Sequence, residues 1–346
     1  MTALESVVQP HDDGETAAER WKRLLTPFRG PDTWRSVRQL TGTVAIFFGL
    51  WIAMLWSLDV HYGLTLLLAL PAGGFLMRLF MIQHDCGHGS YFRSRRARDA
   101  VGFCIGVLTL IPYQYWRRTH AYHHAHSGDL DLRGFGDIDT LTVREYLQRP
   151  RLQRVAYRVY RHPLVLLGIG PLFHFVVKHR YPWDVPRSWK QAWRSVWWTN
   201  LAVAAVVVTL GLTLGWQRFF MVHAPITVLT CSLGVYLFYV QHQFENTYWH
   251  DHEDWDYFDA AIHGSSHMVL PRPLQWITAH IGLHHVHHLN ATIPNYKLEE
   301  CLRSTPELQT ATQIRLRDSW KLLRLTLWDE EARKLIGFRD LRRQPV

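Results

Sequence analysis

Five histidines fall within nine residues at His280, His284, His285, His287 and His288, in HIGLHHVHHLNATIPNY. A helix carrying His284 places His287 and His288 three and four residues on, over one face, where neutral imidazole nitrogens can converge on a metal centre. The same spacing offers a second co-facial set, His284, His285 and His288, and the pattern alone does not choose between them. Two more clusters supply partners. His84 and His88 in HDCGH are four apart, on adjacent turns of one helical face, and His120, His123 and His124 in HAYHH repeat the HxxHH order. Eight nitrogens exceed what one tetrahedral ion takes and suit two ions that keep open positions.

The other candidates are weaker. His263 and His267 repeat the four-residue spacing, but Gly264, Ser265 and Ser266 between them favour a loop over a helix. His126, His162, His174, His179, His223, His250 and His252 read as hydrogen-bonded neighbours. Asp129, Asp131 and Asp137 lie in a Gly-rich loop, where they either hold metal-bound imidazoles by their second nitrogen or form turns. Cys86, Cys104, Cys231 and Cys301 make no CxxC pair and read as reduced thiols. A formal charge of +9 could suggest nucleic acid, but the arginines flank apolar spans, and the positive-inside bias accounts for them without it.

The clusters must be positioned by a membrane frame. The expected fold is all-α: a four-helix transmembrane bundle with a cytosolic helical cap carrying a histidine-rich di-metal site. Spans are expected at 40–58, 64–82, 197–216 and 219–240, behind a flexible cytosolic tail at 1–39; the membrane domain extends to 296 and the cap covers 297–346. Twenty-one residues from Leu64 to His84 make about 30 Å of helix, which matches the hydrocarbon thickness and brings His84 out at the water side. His242, about 34 Å of helix from Phe219, lies at a depth that mirrors it. Arg78, one turn before the end of the second span, is expected to snorkel to the headgroups. Arg93, Arg95, Arg96 and Arg98 mark the cytosolic side. The segments 100–112 and 164–177 are apolar but short, and the second is broken by Gly168, Gly170 and Pro171. If 164–177 crossed the membrane, the later boxes would face the wrong side, so it is expected to be re-entrant or interfacial. Gln241, Glu245 and Asn246 are the neighbours expected to tune His242.

HDCGHGS, HAYHH and HHVHHLNATIPNY resemble the three histidine boxes of the integral-membrane fatty acid desaturases, in order and at family-like separations. The likeness runs from about residue 40 to Tyr296. It is nearest to the acyl-lipid delta-12 branch, through HDCGHGS, GDIDTLTVREYL and the IPNY tail. The resemblance implies that His84, His88, His120, His123, His124, His242, His284, His287 and His288 ligate two iron ions, His242 being the extra ligand from the last span. It also selects His284, His287 and His288 as the third-box triplet, leaving His285 to support the ligands from behind or to pack against the cap. Asp85 and His280 stand close enough in sequence to support the ligands, although related chains often carry Asn at the His280 position.

Imidazole alone does not pick the metal, since it suits zinc, copper, iron and nickel. A site of neutral histidines at a membrane surface, above an apolar bundle and without a hydrolytic nucleophile, suits oxidation of a greasy substrate by O2. The family likeness implies that two hydrogens leave adjacent methylenes of a membrane-lipid acyl chain, giving a cis double bond at the delta-12 or omega-6 position. No cytochrome b5-like segment is expected at either end, so electrons come from a separate donor. The Arg-rich face, with Arg117 and Arg118, suits an acidic ferredoxin-like protein or, alternatively, is topogenic charge against lipid headgroups. Multi-pass placement in a bacterial inner membrane, with active site and termini cytosolic, is the expected location. The competing functions are a di-iron hydroxylase or ketolase of alkanes or carotenoids, which adds oxygen, and a metal transporter or haem carrier, which would place histidines inside the spans.

Overall fold

A computed structural model describes residues 15–343; residues 1–14, part of the expected tail, lie outside the described residues. Helix α1 (Ala17–Leu25) is followed by α2 (Thr33–Ser57) and α3 (Tyr62–His88). The tail was expected to be flexible. Instead Thr16 and Glu19 form a capping box at the start of α1, and Trp21 and Leu25 are buried against Leu283, Val286 and Leu289 of the third box. Helix α3 is central: 61% of its most apolar stretch is buried, against 22% for α2. Its 27 residues make about 40 Å of helix, some 10 Å more than the hydrocarbon layer, and His84 and His88 lie at its C-terminal end. Arg78 does not snorkel. It is buried, with its guanidinium 4.2 Å from the Trp276 ring centroid and bonded to the Trp276 carbonyl, because the cap covers this part of α3.

The chain then turns back in a hairpin of α4 (Arg95–Leu108) and α5 (Tyr113–His126), which carries the second box. Fourteen residues of α4 reach only about 21 Å, too short to span, as the sequence indicated. The reversal is tight. Leu110 has φ 61°, and a Cβ at Gly106 would lie 2.4 Å from the Ile111 carbonyl oxygen, so only glycine allows the approach. A short strand β1 (Leu141–Thr142) leads to α6 (Val143–Gln148), again with a capping box, Thr142 and Glu145. Helix α7 (Arg151–Tyr160) runs into α8 (Gly170–Leu172), which is flanked by π-helical turns at Val165–Ile169 and Phe173–Val177. The two halves, Arg151–Tyr160 and Val165–Arg180, are bent by 61°. Leu152, Leu164, Ile169 and Phe173 are exposed along them, as apolar side chains are when lipid covers them.

The last two long helices are α9 (Lys190–Leu214) and α10 (Trp216–His242), joined at Gly215. Their apolar stretches are only 17% and 28% buried, which leaves Leu201, Val206, Val208 and Leu212 facing outward. Among the described residues the four helices apolar and long enough to cross a bilayer are α2, α3, α9 and α10, the four expected; α3 and α10 run past both expected limits, whereas α2 and α9 begin seven residues earlier and end one and two residues sooner. At the end remote from the histidines, Arg218 donates to both carboxylate oxygens of Asp59 at 2.7 and 2.9 Å and ties the two short loops together.

After α10 the chain folds over the histidine end as α11 (Tyr257–His263), β2 (His267–Val269), α12 (Arg272–Ile277), α13 (His284–Leu289), α14 (Asn295–Ser304), β3 (Gln313–Arg315), α15 (Leu316–Leu322), β4 (Leu327–Asp329) and β5 (Lys334–Ile336). The C-terminal part was expected to be helical; α14 and α15 are helices, and short strands accompany them. β3 pairs in parallel with β2, while β4 pairs in parallel with β1 and antiparallel with β5. Strands of two or three residues are too short to show a period in sequence, and these exist because distant loops supply their partners.

Candidate metal centre

All nine histidines expected as ligands come together at the C-terminal ends of α3 and α10. They form two groups, within each of which one ligand nitrogen per residue lies within 4.8 Å of the others: His84, His88, His120, His124 and His287, and His123, His242, His284 and His288. Helix α3 supplies two members, α5 three, α10 one and α13 three.

The spacing lets the third-box triplet converge on one centre, but here each HxxHH box is divided between the two groups. Helix α13 sends His284 and His288 to the four-histidine group and His287 to the other; α5 sends His120 and His124 to the five-histidine group and His123 to its neighbour. The reason is helical geometry. Residues four apart differ by only about 40° around the axis, whereas neighbours differ by about 100°, so the i, i+4 pair stays together and the remaining histidine is turned toward the adjacent site.

The protonation pattern fits metal binding. A carboxylate and a carbonyl can only accept, so His123 donates from Nδ1 to Asp137, and His242 from Nδ1 to the Gly264 carbonyl at 3.2 Å. Both Nε2 atoms are left with bare lone pairs pointing inward, at His288 Nε2 (3.2 Å) and His284 Nε2 (2.9 Å). His84 Nδ1 similarly meets the Asp85 carboxylate at 3.2 Å, and in its group His124 Nε2 lies 3.1 Å from the Nε2 atoms of both His120 and His287. Converging lone pairs in a buried space call for a cation, and outward Nδ1 bonds are how proteins orient imidazole ligands. Burial, reinforced by neighbouring imidazoles, holds His120, His124, His284, His287 and His288 well below the ordinary histidine range, so they are neutral at pH 7.

The supporting residues divide. Asp85 joins the site fully: besides His84, it accepts from the Asn295 backbone and side-chain amides, each at 2.7 Å, and Asn295 accepts from Gln39 at 2.8 Å. His285 belongs to neither group. It points away, is buried with its ring 5.8 Å from that of His267, and burial pushes it down to about 3. His280 also stands apart, at φ 59°, with Nδ1 3.5 Å from Glu299, so the expected bond to a ligand is not made. Of the three loop aspartates only Asp137 reaches a member of the two groups; Asp129 instead accepts from His252 at 2.7 Å. Among the expected neighbours of His242, Gln241 donates to the Ile281 carbonyl and Glu245 faces Lys334. Sequence reasoning missed Trp116, stacked on His120 with centroids 4.5 Å apart, and Phe238, 5.0 and 5.2 Å from His123 and His242. Trp116 lies four residues before His120, so helical spacing could have found it; Gln39 carries no such signal.

Long apolar helices with exposed flanks and a polyhistidine centre at the ends of two of them define a helical membrane protein with a buried metal-binding site. The family model for fatty acid desaturases matches residues 60–319. The chain is 43% identical over 335 residues to a fatty acid desaturase of Bacillus subtilis, covering 96% of this chain and 95% of that one. It is 25% identical over 271 residues to the sn-1 oleoyl-lipid 12-desaturase of Synechocystis sp. (77% and 73% covered), and 27% identical over 238 residues to that organism's sn-1 acyl-lipid omega-3 desaturase (ferredoxin), with 65% and 63% covered. The chain belongs to the fatty acid desaturase family, a family of oxidoreductases acting on lipids.

Proposed function

We propose that the protein is an acyl-lipid desaturase that holds two iron ions and uses O2 and an external reductant to place a cis double bond at the delta-12 or omega-6 position. The observation that carries the metal reading is the pair of imidazole groups with inward lone pairs. The ligands are His84, His88, His120, His124 and His287 for one ion and His123, His242, His284 and His288 for the other. When bound, the metal pair supplies the oxidising power that removes two hydrogens from adjacent methylenes. The chain's own residues do the rest. Asp85 and Asp137 hold His84 and His123 by Nδ1, which keeps Nε2 available, and Asn295 fixes Asp85 in turn. Phe80, Trp116 and Phe238 give methylenes an apolar surface beside the imidazoles and keep water out. The regiochemical choice is supported by the names of the sn-1 oleoyl-lipid 12-desaturases of Synechocystis sp. and Anabaena variabilis, each 25% identical.

The proposed topology has four crossings, with boxes and termini in the cytosol of a bacterial cell. His88 and His242 end α3 and α10, so both helices run toward the centre while α2 and α9 run away from it. The segment between α5 and α9 thus starts and finishes on the centre's side, and the 61° bend suits a re-entrant path. Exposed Arg93, Arg95 and Arg96 are the docking surface proposed for an acidic ferredoxin-like donor, although Arg95 shares Asp99 with Arg117, at 3.6 and 3.9 Å, and Arg118 stacks on Trp189.

Expression in a bacterium whose lipids lack polyunsaturated chains tests the reading. Gas chromatography with mass spectrometry should show a product two hydrogens lighter, with its new double bond at the delta-12 position. A product heavier by one oxygen would make the protein a hydroxylase instead.

A further inference from the structure

Arg161 follows the last residue of α7, is 1% exposed, and presents its guanidinium to five neutral acceptors. Nη1 donates to the Asp139 carbonyl at 3.0 Å and to Thr140 Oγ1 at 2.8 Å. Nη2 donates to the Tyr239 hydroxyl and to Gln243 Oε1, both at 3.2 Å, and to the Leu325 carbonyl at 2.9 Å. A buried cation with no carboxylate bonded to it is costly to keep, and a cap residue of an interfacial helix could have stayed in solvent. What it gains is the joining of two segments. Asp139 and Thr140 follow Asp137, whose carboxylate orients His123; Tyr239 and Gln243 flank His242 at the end of α10. Thr140 Oγ1 also lies 3.2 Å from Gln243 Oε1, and the rings of His123 and His242 are 4.7 Å apart.

We propose that Arg161 is a positioning residue for the four-histidine group, setting the separation at which His123 and His242 share one metal ion. This rests on the reading of the nine imidazoles as ligands of two ions. The five-histidine group has no such tie, since its members come from α3, α5 and α13 and Arg161 bonds to none of those helices. Only arginine meets the requirement. Its planar fork reaches acceptors on three segments at once, whereas the three donors of a lysine radiate from a single atom.

The test is a cobalt(II) titration of the metal-free full chain in detergent micelles, followed by visible ligand-field absorption. The unmodified chain should show two binding events. Arg161→Lys should weaken one of them by about 10- to 100-fold, the loss seen when a partner behind a ligand is removed, and leave the other unchanged. Adding His288→Ala to that variant should spare the tight event, and adding His287→Ala should abolish it. Thr140→Val, which removes one acceptor and leaves the cation in place, should weaken the same event to a smaller degree. Two unaltered events in Arg161→Lys, or equal weakening of both with helix content retained by circular dichroism, would overturn the proposal. Should Arg161→Lys lose its helix content, Thr140→Val decides: selective weakening supports the proposal and equal or absent weakening rejects it. An unmodified chain that binds no cobalt overturns the two-metal reading, and this inference with it.

Discussion

His284, His285, His287 and His288 lie on two turns of one helix, and their different surroundings give each a distinct mutational outcome. Alanine at His288 or His284 should empty the four-histidine group and alanine at His287 the five-histidine group, each with loss of desaturation. His285→Ala removes a ring that faces His267, so metal content should stay near that of the unmodified chain while activity falls only in part. Metal analysis of the four purified variants checks this, and loss of metal from His285→Ala with retention in His287→Ala would reverse the assignment. Asp137→Asn keeps a side chain that can accept from His123 but removes the charge, and should lower metal affinity by about 10- to 100-fold; direct titration measures it. At this scale the sequence was informative where a spacing repeats. The histidines of the boxes stand out by their i, i+3 and i, i+4 pattern, and His242 by its depth at the end of a span. Their division between two sites did not, because it depends on where α5 and α13 face each other. Asp137 was one of three equivalent aspartates in a loop, and only the fold decides which of them reaches His123.

Elements bring the boxes together through lengths and close approaches. The hairpin of α4 and α5 depends on Gly106, where a methyl group would strike the Ile111 carbonyl oxygen at 2.4 Å. Gly106→Ala should therefore destabilise the protein by about 1–3 kcal/mol, as overpacking does, and a lower thermal unfolding midpoint in micelles would register it. The bent segment from Arg151 to Arg180 makes a topological prediction: a reporter fused at Arg180 should read cytosolic and one at Gln217 periplasmic. A periplasmic reading at Arg180 would mean that the segment crosses, and the boxes could not then share a centre. Apolar run length was enough to find the four long helices, since about 20 apolar residues are needed to span. It was not enough for α1 or the small sheets, whose order comes from partners far along the chain: Trp21 and Leu25 against the third box, β1 against β4, β2 against β3.

The whole molecule is a membrane bundle that keeps a set of neutral imidazoles away from water, and its pH response follows. Burial depresses the folded-state values of His120, His124, His284, His287 and His288 below the unfolded value of about 6.5. Above that pH these histidines are neutral in both states and impose no penalty. As the pH falls below it the unfolded chain binds protons that the folded chain does not, so stability and metal retention should decline together below about pH 6.5. Thermal midpoints and metal content recorded across pH 5–8 would show this, and a protein more stable at pH 5 than at pH 7.5 would contradict it. Under the proposed function the two imidazole groups hold iron, and this iron carries out the oxidation. The most direct test is metal analysis of the purified protein alongside its O2-dependent turnover of a lipid acyl chain in the presence of a reductant. About two irons per chain are expected, with activity rising in step with iron content. Full occupancy by zinc with activity intact would contradict it.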